Sequence, residues 1–151
     1  MTEAETRLAA EIDIRTLVAR YADAVVRRDA KDWGETWAQD AVWRIMGMET
    51  RGREPIVELW QRLMGGYPQV VQIPNSAILV IDGARASGRW YISEYGKLAN
   101  GTAMLTLGVY HDEYTRADGI WRFASRRFDM LYGGPADLSG AFLPFPKELE
   151  R

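Results

Sequence analysis

Alternating apolar and polar residues fill the second half of the chain in four long stretches. β-Branched and aromatic residues recur there at every second position, which is the period of a strand. Asp-Gly or Asn-Gly pairs separate the stretches, and such pairs supply the positive φ angles of a two-residue hairpin turn. The pattern predicts an antiparallel meander with strands at 69–81, 84–98, 102–116 and 120–132.

The first half of the chain has a helical period instead, with apolar residues three and four positions apart. Pro55 lies near the start of one helical stretch, where its missing N–H costs nothing, and Gly65-Gly66 follows the end of that stretch. The pattern predicts three helices and one short strand, at Thr6–Arg28, Ala30–Trp37, Arg53–Met64 and residues 41–46.

Glycines inside the long stretches predict how the sheet is shaped. Gly88, Gly96 and Gly108 interrupt three of the predicted strands, and an internal glycine often marks a bulge or a bend. We therefore expect an α+β fold in which a strongly curved antiparallel sheet packs on the N-terminal helices as a cone around one cavity. Residues 1–151 are expected to form a single domain, with an irregular tail rich in Pro and Gly from about residue 133.

The sheet also predicts how the protein associates. Helices can cover only one of its two faces, and Leu105, Leu107 and Val109 lie on the opposite face if Tyr110 faces the cavity. An exposed apolar patch usually marks an interface. We expect a homodimer that associates through the convex face.

Composition excludes several classes of partner and location. The formal charge is −2 and the pI is about 5.5, so a nucleic acid or an anionic membrane is not an expected partner. No apolar run approaches the length of about 18 residues that spans a bilayer, and the acidic N-terminal segment does not resemble a signal peptide. We expect a cytoplasmic protein.

Residue types also limit the chemistry. His111 is the one histidine, and the chain has no cysteine. The carboxylates are not clustered at the spacing of a calcium loop, and neither a P-loop nor a GxGxxG pattern is present. We therefore expect no metal and no organic cofactor. His111 falls beside the predicted cavity face, and a non-catalytic role is the simpler interpretation.

Three carboxylates are candidates for catalysis, because an acid on an apolar, aromatic face has a raised pKa and can move protons near neutral pH. Asp129 is predicted to share a face with Trp121 and Phe123, Glu94 lies with Trp90 and Ile92, and Asp112 lies with Tyr110 and Tyr114. Each also has a structural interpretation. Asp129 could pair with Arg126 or Arg127, Glu94 could be solvated at a strand end, and Asp112 could make a structural hydrogen bond.

Six residues are candidates for contact with a ligand. Trp43 and Trp90 are the tryptophans that we place against it, although tryptophans more often belong to the core. Gln72, Asn75 and Tyr110 could orient a substrate or stabilise developing negative charge. Val26 is the sixth candidate, and a family resemblance alone indicates it.

Three stretches carry a resemblance to a known family: RYADAVVRRDAKDWGETWAQDAVW (20–43), ILVIDGARASG (78–88) and GVYHDEYTRADGIWRFASRRFD (108–129). They resemble the SnoaL-like group of the nuclear-transport-factor-2-like superfamily, nearest to its scytalone-dehydratase-like members. The resemblance implies a cone-shaped α+β barrel and cofactor-free acid–base chemistry on a small, hydrophobic, often cyclic molecule. The superfamily contains dehydratases, isomerases, cyclases and hydrolases, and also binding proteins without catalytic activity.

The sequence departs from that group at two positions. The scytalone-dehydratase-like members use an Asp late in the first helix and a His on the first long strand. The Asp position falls at Val26, and the His position falls at Val71 or Gln72. Arg127-Phe128-Asp129 is compatible with the late-strand acid of the superfamily's epoxide hydrolases.

Two functions therefore remain open after the sequence has been read. One is a cofactor-independent lyase or dehydratase, isomerase or hydrolase that acts by general acid–base chemistry. The other is a non-catalytic small-molecule-binding or accessory protein of the same fold, which the missing Asp/His dyad favours.

Overall fold

The computed structural model describes residues 1–149. Its elements, in chain order, are α1 (Glu3–Arg27), α2 (Ala30–Glu35), β1 (Trp37–Ile45), β2 (Met48–Arg51), α3 (Arg53–Met64), β3 (Gln69–Asp82), β4 (Arg85–Lys97), β5 (Ala103–Ala117), β6 (Ile120–Gly134), β7 (Ala141–Phe142) and a 3₁₀ turn (Lys147–Leu149). The bounds of α3 coincide with the prediction. The second predicted helix was too long, because α2 ends before Thr36 and Trp37 begins a strand.

Both ends of α1 are fixed by side chains. Thr2 caps the first turn, since its Oγ accepts from the Glu5 N–H at 3.1 Å and the Glu5 carboxylate accepts from the Thr2 N–H at 2.7 Å. Arg28 follows the helix in the left-handed conformation, with φ 57°. Its guanidinium donates to the carbonyl of Tyr67 at 2.6 Å and to that of Met64. The end of α1 is thereby tied to the segment after α3.

Within the described residues the strands form one mixed sheet, in the order β2-β1-β6-β5-β4-β3, with β7 paired to β6. The four-strand antiparallel meander is confirmed as β3 to β6. The prediction lacked the parallel pairing of β1 with β6, which extends the sheet beyond the meander. Helices on one face of a curved, unclosed sheet confirm the α+β fold class.

A cluster of tryptophans fills the space between helices and sheet. Trp33 and Trp60 stack with ring centroids 4.6 Å apart and planes 11° apart, which joins α2 to α3. Trp37 and Trp43 on β1 each make an edge-to-face contact with Trp33, and their rings are tilted against one another. Large aromatic side chains bury much apolar surface each. This cluster therefore holds the helical layer against β1.

Behind the tryptophans lies a buried ion pair between β5 and β6. Arg126 donates to both carboxylate oxygens of Asp112, at 2.7 and 3.0 Å, and the Tyr114 hydroxyl donates to the same carboxylate at 2.7 Å. The guanidinium carbon lies 3.6 Å from the ring centroid of Tyr110 and 4.5 Å from that of Tyr21. Burial would lower the pKa of Arg126, but the charge of Asp112 and the two phenols outweigh it and raise that pKa.

β-Bulges in β6 decide which of its side chains face inward. Phe123 pairs with Tyr114 but Ser125 pairs with Glu113, so Ala124 is an extra residue and the alternation changes sides there. The prediction that Asp129 shares a face with Trp121 and Phe123 is wrong for this reason. Asp129 lies on the outer face of the sheet, where it pairs with Arg127 at 3.0 Å.

Two of the three residues that the sequence predicted on an exposed patch of the outer face are buried instead. Leu105 is 5% exposed and Val109 is fully buried. The C-terminal segment crosses this face and contacts it at several points: Phe142 packs on Tyr132, Leu143 donates its N–H to Leu131, Phe145 lies against Arg89, and Glu148 pairs with Arg127. The tail therefore covers part of the outer face, whereas Val71 and Ile73 on β3 stay exposed on it, and the homodimer remains a prediction.

None of the helices within residues 1–149 is both long enough and apolar enough to cross a membrane.

The buried ion pair predicts a large effect of Asp112→Asn on stability. The variant leaves the Arg126 charge buried without a counter-charge, which costs about 3–5 kcal/mol in comparable pairs. Urea denaturation should show that loss in the free energy of unfolding. Asp23→Asn is the matched control, because Asp23 pairs with Arg27 at 2.8 Å at a site where both side chains are largely exposed. Equal losses from the two variants would contradict this account of the core.

Candidate active site

A cavity of about 150 Å³ lies between the helices and the concave face of the sheet. Its apolar lining comes from every layer of the fold and includes Trp43, Trp60, Phe128, Met46, Met64 and Met130. Its polar lining consists of Tyr21, Tyr67, Gln72, Glu94, Thr106 and Tyr110. We call the rim formed by Met46, Leu63, Met64 and Tyr67 the mouth, since Met46 is 63% exposed there.

Sheet register brings three of the polar residues into one row. Gln72 on β3 lies directly opposite Glu94 on β4, and Glu94 lies directly opposite Thr106 on β5. Residues directly opposite one another on neighbouring strands present their side chains to the same face. The amide of Gln72, the carboxyl of Glu94 and the hydroxyl of Thr106 therefore lie side by side across the concave face.

Among the described residues, Glu94 supplies the carboxyl group of the lining. Burial raises the pKa of Glu94 above its ordinary value of 4.5, and the hydrogen bond from Gln72 opposes that shift. The bond joins Gln72 Nε2 to Glu94 Oε2 at 2.9 Å. Gln72 is the donor in this hydrogen bond, so Oε1 of the Glu94 carboxyl is left for another partner. Glu94 is thus a fixed carboxyl group with raised proton affinity.

A second polar feature comes from two phenols over the buried guanidinium. The hydroxyls of Tyr21 on α1 and Tyr110 on β5 lie 3.3 Å apart. Burial raises the pKa of both, that of Tyr110 well above its ordinary value, so both stay protonated at neutral pH. One hydroxyl hydrogen is shared within the pair. The pair retains one further O–H that can donate to a ligand in the cavity.

The structure brings together four residues that the sequence singled out for this site. Glu94, Gln72, Tyr110 and Trp43 all line the cavity. Alternation explains the agreement for Glu94 and Tyr110, because β4 has no extra residue between Trp90 and Glu94, and β5 has none between Tyr110 and Tyr114. The catalytic role of Glu94 and the ligand contacts of the other three remain predictions.

The other predicted site residues lie elsewhere. Asp112 is held in the ion pair with Arg126, and Asp129 is outside the cone. Trp90 is in the core, where its indole N–H donates to Tyr114 at 3.0 Å. A bulge between Pro74 and Ser76 takes Asn75 out of the alternation, and its amide donates to Ser93 at 2.8 Å. Val26 is 43% exposed on α1, outside the cavity.

Sequence reasoning missed several lining residues. Tyr21 and Val25 are four positions apart on the buried face of α1, so the helical period carried a usable signal. Trp60 lies on the buried face of α3, so the helical period indicated this residue as well. Phe128 and Arg126 face inward only because of the bulge at Ala124, and alternation alone assigns them to the other side.

Within residues 1–149, His, Asp and Glu form no group of three that could hold a metal ion.

Comparison with known proteins places the chain in a family. The SnoaL-like domain family matches residues 6–127, and the chain belongs to it. The chain is 28% identical over 135 residues to the gamma-hexachlorocyclohexane dehydrochlorinase of Sphingobium indicum, a match that covers 85% of each protein. It resembles the crystal structure of LinA with a TM-score of 0.83 and 26% identity, over 96% of this chain and 100% of that one.

A scytalone-dehydratase-like protein from Novosphingobium aromaticivorans has a TM-score of 0.81 at 13% identity, over 92% of this chain and 95% of that one. This similarity shows the fold alone. With the family match, it confirms the resemblance predicted from the three sequence stretches and the cone-shaped fold that the resemblance implied.

The raised pKa of Glu94 predicts how stability depends on pH. The folded protein holds this proton more tightly than the unfolded chain, so the stabilisation is complete below pH 4.5 and is lost as the pH rises through the folded pKa. Glu94→Gln cannot titrate. The difference in unfolding free energy, wild type minus variant, should therefore fall as pH rises, in denaturant titrations at a series of pH values. A difference that is constant with pH would show that Glu94 is solvated like an ordinary surface carboxylate.

Proposed function

We propose that the protein is a cofactor-independent enzyme of the lyase type, which acts by general acid–base chemistry on a small hydrophobic cyclic substrate. One observation carries the proposal: the carboxyl of Glu94 faces an otherwise largely apolar cavity and is held there by Gln72. A desolvated carboxyl accepts protons more strongly than a solvated one. It is therefore suited to transfer a proton near neutral pH.

The reaction that fits best is elimination next to a carbonyl group. The Glu94 carboxylate removes a proton from the carbon beside the carbonyl, and the electron pair of that C–H bond moves toward the carbonyl oxygen. The free O–H of the Tyr21–Tyr110 pair donates to this oxygen as it becomes negative. Arg126 behind the two rings adds a fixed positive charge close by.

The second half of the reaction releases the leaving group. The electron pair returns to form a C=C bond, and the bond from the β-carbon to its substituent breaks. A hydroxide that leaves takes the proton from Glu94 and departs as water, which regenerates the carboxylate. A halide leaves as the anion, and Glu94 then loses its proton to water. No metal or organic cofactor takes part in either case.

The relatives support the lyase class. Two further curated relatives carry the name hexachlorocyclohexane dehydrochlorinase, as the first does, and this name describes the elimination of hydrogen chloride from a ring. Our proposal differs from the family-derived expectation in the group that moves the proton. Val26 stands where the resemblance implies an Asp, and Val71 or Gln72 where it implies a His, so we assign the base to Glu94 on β4.

A binding protein without catalytic activity is the second candidate. The observation that favours it is the same departure, Val26 at the Asp position and Val71 or Gln72 at the His position, since none of these side chains can transfer a proton. In that case Glu94 and Gln72 would only fix the orientation of a ligand. A homodimer, a cytoplasmic location and a single domain remain predictions from the sequence.

Glu94→Gln should lower turnover by about 10²–10⁴-fold, the usual contribution of one proton-transferring side chain. The variant keeps the shape of the side chain, so its melting temperature should stay high. Suitable substrates are 3-hydroxycyclohexanone, followed by the absorbance of the enone, and 3-chlorocyclohexanone, followed by chloride release. Glu113→Gln is the control, because Glu113 is exposed on β5 and does not line the cavity.

Equal turnover by wild type and Glu94→Gln would remove Glu94 from the chemistry. Tight binding of cyclohexanone without turnover of any β-substituted ring would favour the binding protein instead.

A further inference from the structure

The lining of the cavity includes an aromatic ring, Phe128, that lies directly on a glycine. A Cβ atom built on Gly108 would stand 2.1 Å from Cε2 and 2.2 Å from Cζ of Phe128. No side chain larger than hydrogen fits between them. The other side of the ring packs against Tyr110, with centroids 5.0 Å apart and planes inclined by 51°. Phe128 is thus confined between two β5 residues, and its position is fixed.

Two tryptophans that line the cavity are tightly packed. Trp43 is 2% exposed and Trp60 is 6% exposed, and both belong to the tryptophan cluster that joins the helices to β1. The cavity that Phe128 and these tryptophans line has a volume of about 150 Å³. An apolar void of about 150 Å³ holds one benzene-sized molecule. A second fused ring would need the space that Phe128 occupies.

We propose that Phe128, seated on Gly108, is the specificity-determining residue that restricts the ligand to a single six-membered ring with small polar substituents. The proposal rests on the proposed function, because it describes the substrate of the same cavity. A carbonyl or hydroxyl substituent is required at the polar row of Gln72, Glu94 and Thr106. The rest of the ring is apolar and lies against Phe128 and the two tryptophans.

Binding of two unreactive ketones tests this limit. Cyclohexanone and decalone have the same functional group, differ by one fused ring, and lack a leaving group. Isothermal titration calorimetry on the wild type should show the tighter binding for cyclohexanone. Phe128→Ala should shift the ratio of the two dissociation constants toward decalone by about tenfold or more, since one methylene group that an apolar pocket accepts or rejects changes affinity by about that factor.

Gly108→Ala should act in the opposite direction. The new methyl group has no room beside the Phe128 ring, so the ring is pushed into the cavity and the binding of both ketones weakens. Phe142→Ala is the matched control, because Phe142 packs on Tyr132 outside the cone and is 62% exposed. That variant should leave the ratio unchanged.

Phe128→Leu guards against a variant that merely unfolds, since it retains most of the side-chain volume and should give an intermediate ratio. A folded Phe128→Ala or Phe128→Leu protein with the wild-type ratio would overturn the proposal. The ketones report binding without chemistry. The ketone ratio in the Phe128 variants therefore tests the size limit, and the turnover of Glu94→Gln tests the proposed function. Failure of one proposal can be told apart from failure of the other.

A second and independent observation concerns Met46 at the mouth. Met46 and Gly47 have φ angles of 51° and 73°, and Asp118 and Gly119 have φ angles of 52° and 74°. Such turns favour Asn, Asp or Gly at the first position. Asp118 follows that preference, but Met46 does not. The backbone of Met46 is in a strained left-handed conformation, and its large apolar side chain is 63% exposed.

We infer that Met46 occupies this turn because its side chain covers a ligand bound in the cavity. Met46→Asn should relieve strain and raise the melting temperature by roughly 2–4 °C. It should also weaken cyclohexanone binding several-fold. Asp118→Met, in the turn of equal geometry, should lower the melting temperature and leave binding unchanged. A Met46→Asn protein that binds cyclohexanone as tightly as the wild type would overturn the inference.

Discussion

The buried ion pair of Asp112 and Arg126 is the constraint on which the cavity depends. Two charges removed from water need excellent geometry, and here the guanidinium reaches both carboxylate oxygens at 2.7 and 3.0 Å. The rings of Tyr21 and Tyr110 complete the enclosure, one from a helix and one from the sheet. Because both rings pack on the same cation, their hydroxyls meet at one place in the cavity. The ion pair thus joins the two layers and aligns the donors.

Bulges determine which chemistry faces inward. Without the extra residue at Ala124, β6 would present Arg127 and Asp129 to the cavity and turn Arg126 outward. The observed register does the reverse. A guanidinium with a buried counter-ion lies at the base of the site, while the second arginine–aspartate pair lies on the outer face. One additional residue in a strand therefore selects between two different sets of charges.

Much of the fold was predictable from the sequence because its signals are local. Asp-Gly and Asn-Gly turns fixed the four long strands to within one or two residues, and alternation grouped Glu94 with Trp90 and Tyr110 with Tyr114. The site was less predictable, because its geometry depends on non-local pairing. A bulge is set by the partner strand's register, so nothing adjacent to Asp129 in the sequence indicates that it faces outward. The tail's contact with the outer face also depends on tertiary structure.

The position of Glu94 explains how acid–base chemistry could persist without an acid on α1. A base on a helix can be oriented by its own turn, whereas one in a sheet is fixed by both neighbouring strands. Gln72 and Thr106 lie opposite Glu94 on either side, and the hydrogen bond from Gln72 holds the carboxyl in one orientation. Gln72 is one of the two residues, with Val71, at the position where the resemblance implies a histidine. In the proposed mechanism, Gln72 positions the carboxyl group that moves the proton and does not move the proton itself.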